Sequence, residues 1–257
     1  MLQQTQVERV IPFYKKFIKQ FPTAKKLAAA PLSDVLTAWQ GLGYNRRAKM
    51  LHQAAKVLSL GKLNSPKTIK ELEELPGVGS YTARAVAAFA YNQDVIFVET
   101  NIRTAIIHHF FSTEQKRKGV IYHTSTQKIS DKEIEKILAK VLPKGRAREW
   151  YSALMDYGAY LKRSGISHNA KSKKYTKQSR FAGSLREARG AILREFIATR
   201  FDLRSESSRS NLVAAVERRL GKGRSSQIRQ ALEALLAEGL ITESPVSEAS
   251  RRCRQGA

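Results

Sequence analysis

Between residues 3 and 162, apolar residues recur three and four positions apart in segment after segment, with short Pro- or Gly-bearing breaks between them. That period is the α-helical one: each segment carries an apolar stripe that another helix has to cover. Two-residue alternation is scarce, so the pattern predicts an all-α fold. Helices are expected roughly over 3–20, 23–30, 32–40, 45–59, 67–75, 80–91, 101–112, 131–141 and 146–162. Ser65-Pro66 places a cap before a helix-compatible proline, and Gly41 and Gly43 end the helix that holds Trp39. With 257 residues, 42% of them hydrophobic, the chain can build one large domain or two modest ones.

Charge narrows the partner. Forty-six Lys and Arg against 22 Asp and Glu leave a formal charge of +24, a field that attracts polyanions. Nucleic acid is the first to consider. A membrane is the rival, but no apolar run approaches the roughly 18 residues a span needs, and no signal-peptide pattern opens the chain. A soluble, cytoplasmic, nucleoid-associated protein is expected. Cys253 is the single cysteine, so neither disulfides nor Cys-rich zinc or iron–sulfur sites are expected within the chain. His108 and His109 point in different directions on a helix and have no carboxylate three or four residues away, so no metal site and no cofactor are predicted.

The basic residues change type along the chain, with 22 Lys and 10 Arg up to Ser184 and 1 Lys and 13 Arg after it, which suggests a boundary near 180–188. Just before it, His168 to Arg180 is cationic and aperiodic: an exposed loop, or an arm on nucleic acid. Beyond it the order reads helix (186–200), helix (209–220), turn, helix (225–238) and a short strand in "GLITES", which is that of a winged helix. Arg224, Ser225, Gln227 and Arg229 would then face phosphates or bases. A helical module that only packs on the main domain fits the same residues.

"LPGVGSYTARAV" is the most specific local signal. Gly77 and Gly79 lie between two helices, so backbone amides can turn toward one point, and the next helix adds its unpaired N–H groups. Leu75, Pro76, Gly77, Val78, Gly79 and Ser80 thus form the hairpin of a helix-hairpin-helix motif, a sequence-independent clamp for a DNA phosphate. Downstream, "VIFVETNIRTAI" ends an apolar run on one carboxylate, Glu99.

Together "MLQQTQVERVIPFYKKFIKQFP", "AWQGLGYNRRAKMLHQAAKV", "LPGVGSYTARAV" and "WYSALMDYGAYL" resemble, in order, blocks of the A/G-specific adenine DNA glycosylases, the MutY-like branch of the endonuclease III superfamily. The resemblance covers most of residues 1–162. It implies a two-lobed helical glycosylase fold acting as a monomer on double-stranded DNA with a mismatched or damaged base. Gln3, Gln4 and Thr5 match the segment that enters the duplex, and Tyr44 matches an aromatic wedge; on the residues alone, surface amides and a packed loop aromatic fit as well. Tyr81 stands where lyase-competent relatives carry an amine, so monofunctional base excision is implied. Glu99 takes the place of the catalytic aspartate, one methylene or about 1.5 Å longer, and Asn101 matches an asparagine that helps hold the acid near the sugar. A carboxylate there stabilises the oxocarbenium character of the departing sugar.

Three departures accompany the resemblance. The family's proton-donating glutamate lies just upstream of the stretch matched at Met1, and an in-frame Glu-x-Met before Met1 is expected. The four-cysteine cluster loop is replaced by "ISHNAKSKKYTKQSR". The Nudix-like domain that reads 8-oxoguanine is not recognisable. Expected domains are residues 1–95, a lobe with the hairpin; 96–183, a second lobe with the basic loop; 184–245, the winged-helix-like module; and a polar tail, 246–257. The expected reaction is hydrolysis of adenine opposite guanine or 8-oxoguanine, with thymine or uracil opposite guanine, or a non-catalytic DNA-binding protein, as alternatives.

Overall fold

Each helix expected before residue 165 forms in the computed structural model, which describes residues 1–3, 5–61, 66–111, 128–176, 179–199 and 202–243, Asn169 by its backbone alone. In chain order they are α1 (Val7–Gln20), α2 (Ala24–Ala29), α3 (Leu32–Trp39), α4 (Arg46–Ser59), α5 (Ile69–Glu73), α6 (Ser80–Tyr91), α7 (Thr100–Phe111), α8 (Asp131–Val141) and α9 (Ala147–Arg163). Then follow α10 (Leu185–Thr199), α11 (Glu206–Leu220) and α12 (Ser225–Ala237). Thr68 and Ser130 open α5 and α8 with reciprocal capping boxes to Glu71 and Glu133, each satisfying two otherwise unpaired helix-end donors. No helix among the described residues is long and apolar enough to cross a membrane. The Ser65 cap, the 246–257 tail and Cys253 lie outside the described residues.

The chain falls into two compact units, residues 1–64 with 179–257, and residues 65–178. The reason is burial. Val10, Phe17, Phe21 and Trp39 of the first unit share one apolar cluster with Ala188, Ile192, Leu212, Ile228 and Leu235, so α10–α12 complete the core of α1–α4. Phe17 sets its ring edge against Phe21 and Trp39 at 4.9 and 5.9 Å. The carbonyl of Glu238 accepts from Lys49, and its carboxylate pairs with Arg189 at 2.7 Å.

Over the described part of "GLITES", residues 239–243, the expected strand does not form. Leu240 and Ile241 are buried, and the Glu243 carbonyl accepts from the Leu203 amide at 2.7 Å, so this segment closes the base of a three-helix module. Nor does the start of α12 present free readers. Arg224 pairs with Glu187 at 2.8 Å and with Gln227 at 2.8 and 3.0 Å, Ser225 donates to Glu217 at 2.6 Å, and Arg229 pairs with Glu206 at 3.0 Å. These side chains bind the module together. Arg224→Ala is accordingly expected to lower unfolding free energy by about 1–2 kcal/mol, because half-buried Glu187 and Gln227 lose a charged donor. An unchanged urea midpoint would contradict this.

In the second unit, α6–α9 surround a core of Ala88, Phe97, Ile102, Ile106, Ile134, Leu138 and Tyr151. The basic segment after α9 is fixed rather than loose over its first residues. Ile129 donates to the Lys171 carbonyl at 2.7 Å and accepts from Lys173 at 3.0 Å, Ser172 is buried, and Lys174 pairs with Asp131 at 2.8 Å. Tyr175 stays exposed.

Candidate active site

The hairpin is held from below and open above. Leu72 and Leu75 anchor it in the core, the Val78 amide donates to the Leu75 carbonyl at 3.0 Å, and Gly77 has φ +77, a torsion that costs residues with a Cβ. Gly79 differs. Its φ is −92, and a Cβ there meets no atom within 4 Å, so neither torsion nor packing inside the chain calls for glycine. It leaves room for a group approaching from outside. No side chain caps the α6 amino terminus at Gly79, and Ser80 Oγ, beside it, accepts from Arg84. Gly77, Gly79 and Ser80 are exposed, while Pro76 and Val78 are half-buried. The first turn of α6 thus offers amide donors and positive dipole to solvent.

The same helix carries Tyr81 toward the carboxylate. Val95 to Val98 lead from α6 toward α7, with Tyr151 Oη donating to the Val95 carbonyl at 2.9 Å. Buried Phe97 lies against Tyr81, Phe89 and Tyr151 at ring distances of 6.0, 5.9 and 4.3 Å. This plug fixes where the chain turns into α7, and Glu99 is the residue at that turn. Its carbonyl accepts from Arg103 at 2.7 Å and its carboxylate accepts from the Asn101 amide at 2.5 Å, so Glu99 caps α7 while facing outward from it. The added methylene, relative to an aspartate, is taken up by this fold-back. Burial, and then the negative charge of Glu99, push the Tyr81 phenol up to about 12; it stays neutral at any working pH. Tyr81, Glu99 and Asn101 are therefore brought together.

Two further residues of this site were not singled out from the sequence. Gly158 of α9 sits on the backbone of Asn101, where a Cβ would fall 2.1 Å from the carbonyl oxygen. One turn on, Lys162 Nζ donates to Asn101 Oδ1 at 2.6 Å. Burial lowers the proton affinity of Lys162, Glu99 opposes that shift and Arg103 adds to it. Arg103 itself is engaged by Asp131 through two hydrogen bonds of 2.9 and 3.1 Å. The spacing of 158 and 162, one helical turn, was the available signal.

The residues expected to enter the duplex lie in the first unit. Gln4 is outside the described residues. Gln3 and Tyr44 are joined by Arg47, which donates to the carbonyls of Met1 at 3.1 Å, Gln3 at 2.9 Å and Gly43 at 3.3 Å, with its guanidinium 5.5 Å from the Tyr44 ring centre and 5.4 Å from that of Trp39. This is why α1 begins at Val7 rather than near residue 3: the first carbonyls are taken by Arg47. Thr5 turns back to the Leu2 carbonyl at 3.3 Å. Tyr44 has φ +48 and is exposed, a left-handed conformation uncommon for an aromatic residue. Arg47 was the other unforeseen residue.

Among the described residues no group of three or more His, Cys, Asp or Glu is placed to hold a metal. A single cysteine cannot supply the four thiolates of an iron–sulfur cluster.

Comparison with known proteins finds adenine DNA glycosylases among the relatives of this chain. The adenine DNA glycosylase of Mycolicibacterium smegmatis is 38% identical over 160 residues, covering 62% of this chain and 51% of that protein. That of Buchnera aphidicola subsp. Baizongia pistaciae is 36% identical over 167 residues, covering 63% and 43%, and that of Mycobacterium tuberculosis is 49% identical over 107 residues, covering 41% and 35%. The chain spans about half the length, or less, of these relatives. Among solved structures, a thermostable thymine-DNA glycosylase superimposes with a TM-score of 0.49 at 25% identity, covering 62% of this chain and 69% of that one. The family of HhH-GPD superfamily base excision DNA repair proteins matches residues 1–144, which hold the hairpin, Glu99 and Asn101, and the protein belongs to that superfamily.

Proposed function

We propose that the protein is a monofunctional DNA N-glycosylase that acts as a monomer on duplex DNA and hydrolyses adenine opposite guanine or 8-oxoguanine. The observation that carries this reading is Glu99, a carboxylate held at the start of α7 by the Asn101 amide, beside neutral Tyr81 and in the same unit as the hairpin. The hairpin amides hold a backbone phosphate, and the target nucleotide leaves the stack. As the C1′–N9 bond breaks, its electron pair leaves with the base and positive charge grows on the sugar, facing Glu99. Water then bonds to C1′ and releases one proton to solvent, while the departing adenine, which carries the electron pair of the broken bond, takes up one proton from solvent. Tyr81, too weak an acid to give up its proton, offers a hydrogen bond in place of the amine that would form a Schiff base. The named activity of the three relatives supports adenine as the base.

The test is single-turnover release of free base from A:8-oxoG, A:G, T:G and U:G duplexes, read directly by chromatography. Adenine release from the first two, with strands intact until alkali, is expected. Release of thymine or uracil instead would reassign the substrate, and tight, salt-sensitive binding without any release would make the protein a binder only.

The Arg47 cradle gives a separate expectation. Arg47→Met removes a charged donor from the carbonyls of Met1, Gln3, Leu42 and Gly43 and from two ring faces, which should cost about 2 kcal/mol of stability. At a temperature where the variant is folded, affinity for a duplex containing an abasic site should fall more than affinity for intact duplex, because a wedge is needed only where a base has left the stack. Equal losses on both would show that the cradle does not hold the wedge.

A further inference from the structure

We infer that Lys162 is a positioning residue for the reaction at Glu99: its ammonium fixes the Asn101 side chain, and through that residue the direction of the carboxylate. The inference rests on the glycosylase reading for its kinetic part and on geometry for the rest. Asn101 is held at two points that have different consequences. Its backbone N–H donates to Glu99 at 2.5 Å, and its side-chain Oδ1 accepts from Lys162 Nζ at 2.6 Å. The missing Cβ of Gly158 lets α9 rest on the Asn101 backbone, so Lys162 arrives at this contact on a fixed helix. A lysine that only packed would bury its stem and send its ammonium to water; this one is half-buried and bonded within the site.

The charges facing it fit the role. Glu99 precedes α7 and is attracted to the ammonium, and Arg103 on α7 repels it. Arg103 is neutralised by Asp131 of α8, which also receives Lys174 from the basic segment. From α6, Tyr81 faces Glu99 as a neutral phenol. Lys162 is thus a cation attracted toward Glu99 while its ammonium is held on Asn101.

Three variants and one spectrum test this. Lys162→Met keeps the stem and removes the charge, and it should slow base release about 10- to 100-fold. Lys162→Arg, which retains charge and donors, should return the rate to within a few-fold of the parent. Melting temperatures should stay within a few degrees, separating this from a folding defect. In protein labelled with ¹⁵N-lysine, a slowly exchanging Lys162 ammonium signal should be present, should vanish in Asn101→Ala and should shift in Glu99→Gln. This arm does not depend on turnover: with a parent that releases no base, the glycosylase reading fails while the spectrum still decides whether Lys162 is locked on Asn101. A parent rate in Lys162→Met, or no protected signal, would overturn the inference. So would a borohydride-trapped adduct of an abasic duplex mapped to Lys162, which would make the residue a nucleophile.

Discussion

Gly158→Ala should lower the melting temperature by about 6–12 °C and abolish most base release, from a single added methyl group. The new Cβ would stand 2.1 Å from the Asn101 oxygen, 2.6 Å from its carbonyl carbon and 2.8 Å from its Cα. These are backbone atoms in the first turn of α7, and no rotamer change relieves them, so the two helices have to separate. Overpacking ordinarily costs 1–3 kcal/mol; with a backbone opponent about 3 kcal/mol is expected, and each kcal/mol is worth roughly 2–4 °C in a chain of this size. The activity loss should exceed the stability loss. Asn101 is both the donor to Glu99 and the acceptor from Lys162, so a separation of even about 1 Å moves the carboxylate off the sugar, and misplacement on that scale costs about 100-fold in rate. A melting scan of parent and variant, with single-turnover rates taken 15 °C below the lower midpoint, checks both parts. Parent-like melting would mean that α7 and α9 do not meet at this glycine.

What could be read from the residues was what short stretches of chain decide by themselves. Helix positions follow from a local period, and the hairpin from two glycines between two helices, so α4, α6 and α8 lie within a residue of expectation. Tyr81, Glu99 and Asn101 are close in sequence and joined by one turn into α7. Lys162 is 61 residues from the oxygen it binds, and Arg47 reaches back to Met1 and Gln3 over more than 40 residues; nothing in their neighbourhoods marks those partners. The grouping into compact units was hidden for a related reason. The change from Lys to Arg near Ser184 follows the chain, but burial does not: Ile192, Leu212 and Leu235 find their cover with Phe17 and Trp39. Arg224 and Ser225 showed the composition of a reading helix, yet Glu187 and Glu217, which engage them, are acids on neighbouring helices.

Glu99→Gln carries the largest expected loss in rate with the smallest expected change in fold. Glutamine keeps the length of the side chain, and its Oε1 accepts from the Asn101 amide as the carboxylate does, so the cap on α7 survives. What disappears is the negative charge opposite the developing oxocarbenium ion. Loss of one well-placed electrostatic stabiliser is worth about 100- to 1000-fold, and that fall in single-turnover base release is expected with DNA affinity unchanged or raised, since a neutral site repels phosphates less. Glu99→Asp makes the complementary case. It keeps the charge and can still cap the helix, as aspartate commonly does, but withdraws the carboxylate by about 1.5 Å. If the fold-back of Glu99 onto α7 is what sets its distance to the sugar, the shorter acid should lose about 100-fold, and the pair of variants then separates charge from reach. A Glu99→Asp variant faster than the parent would mean that the longer arm is a handicap in this site, and a Glu99→Gln variant as fast as the parent would remove Glu99 from the reaction altogether.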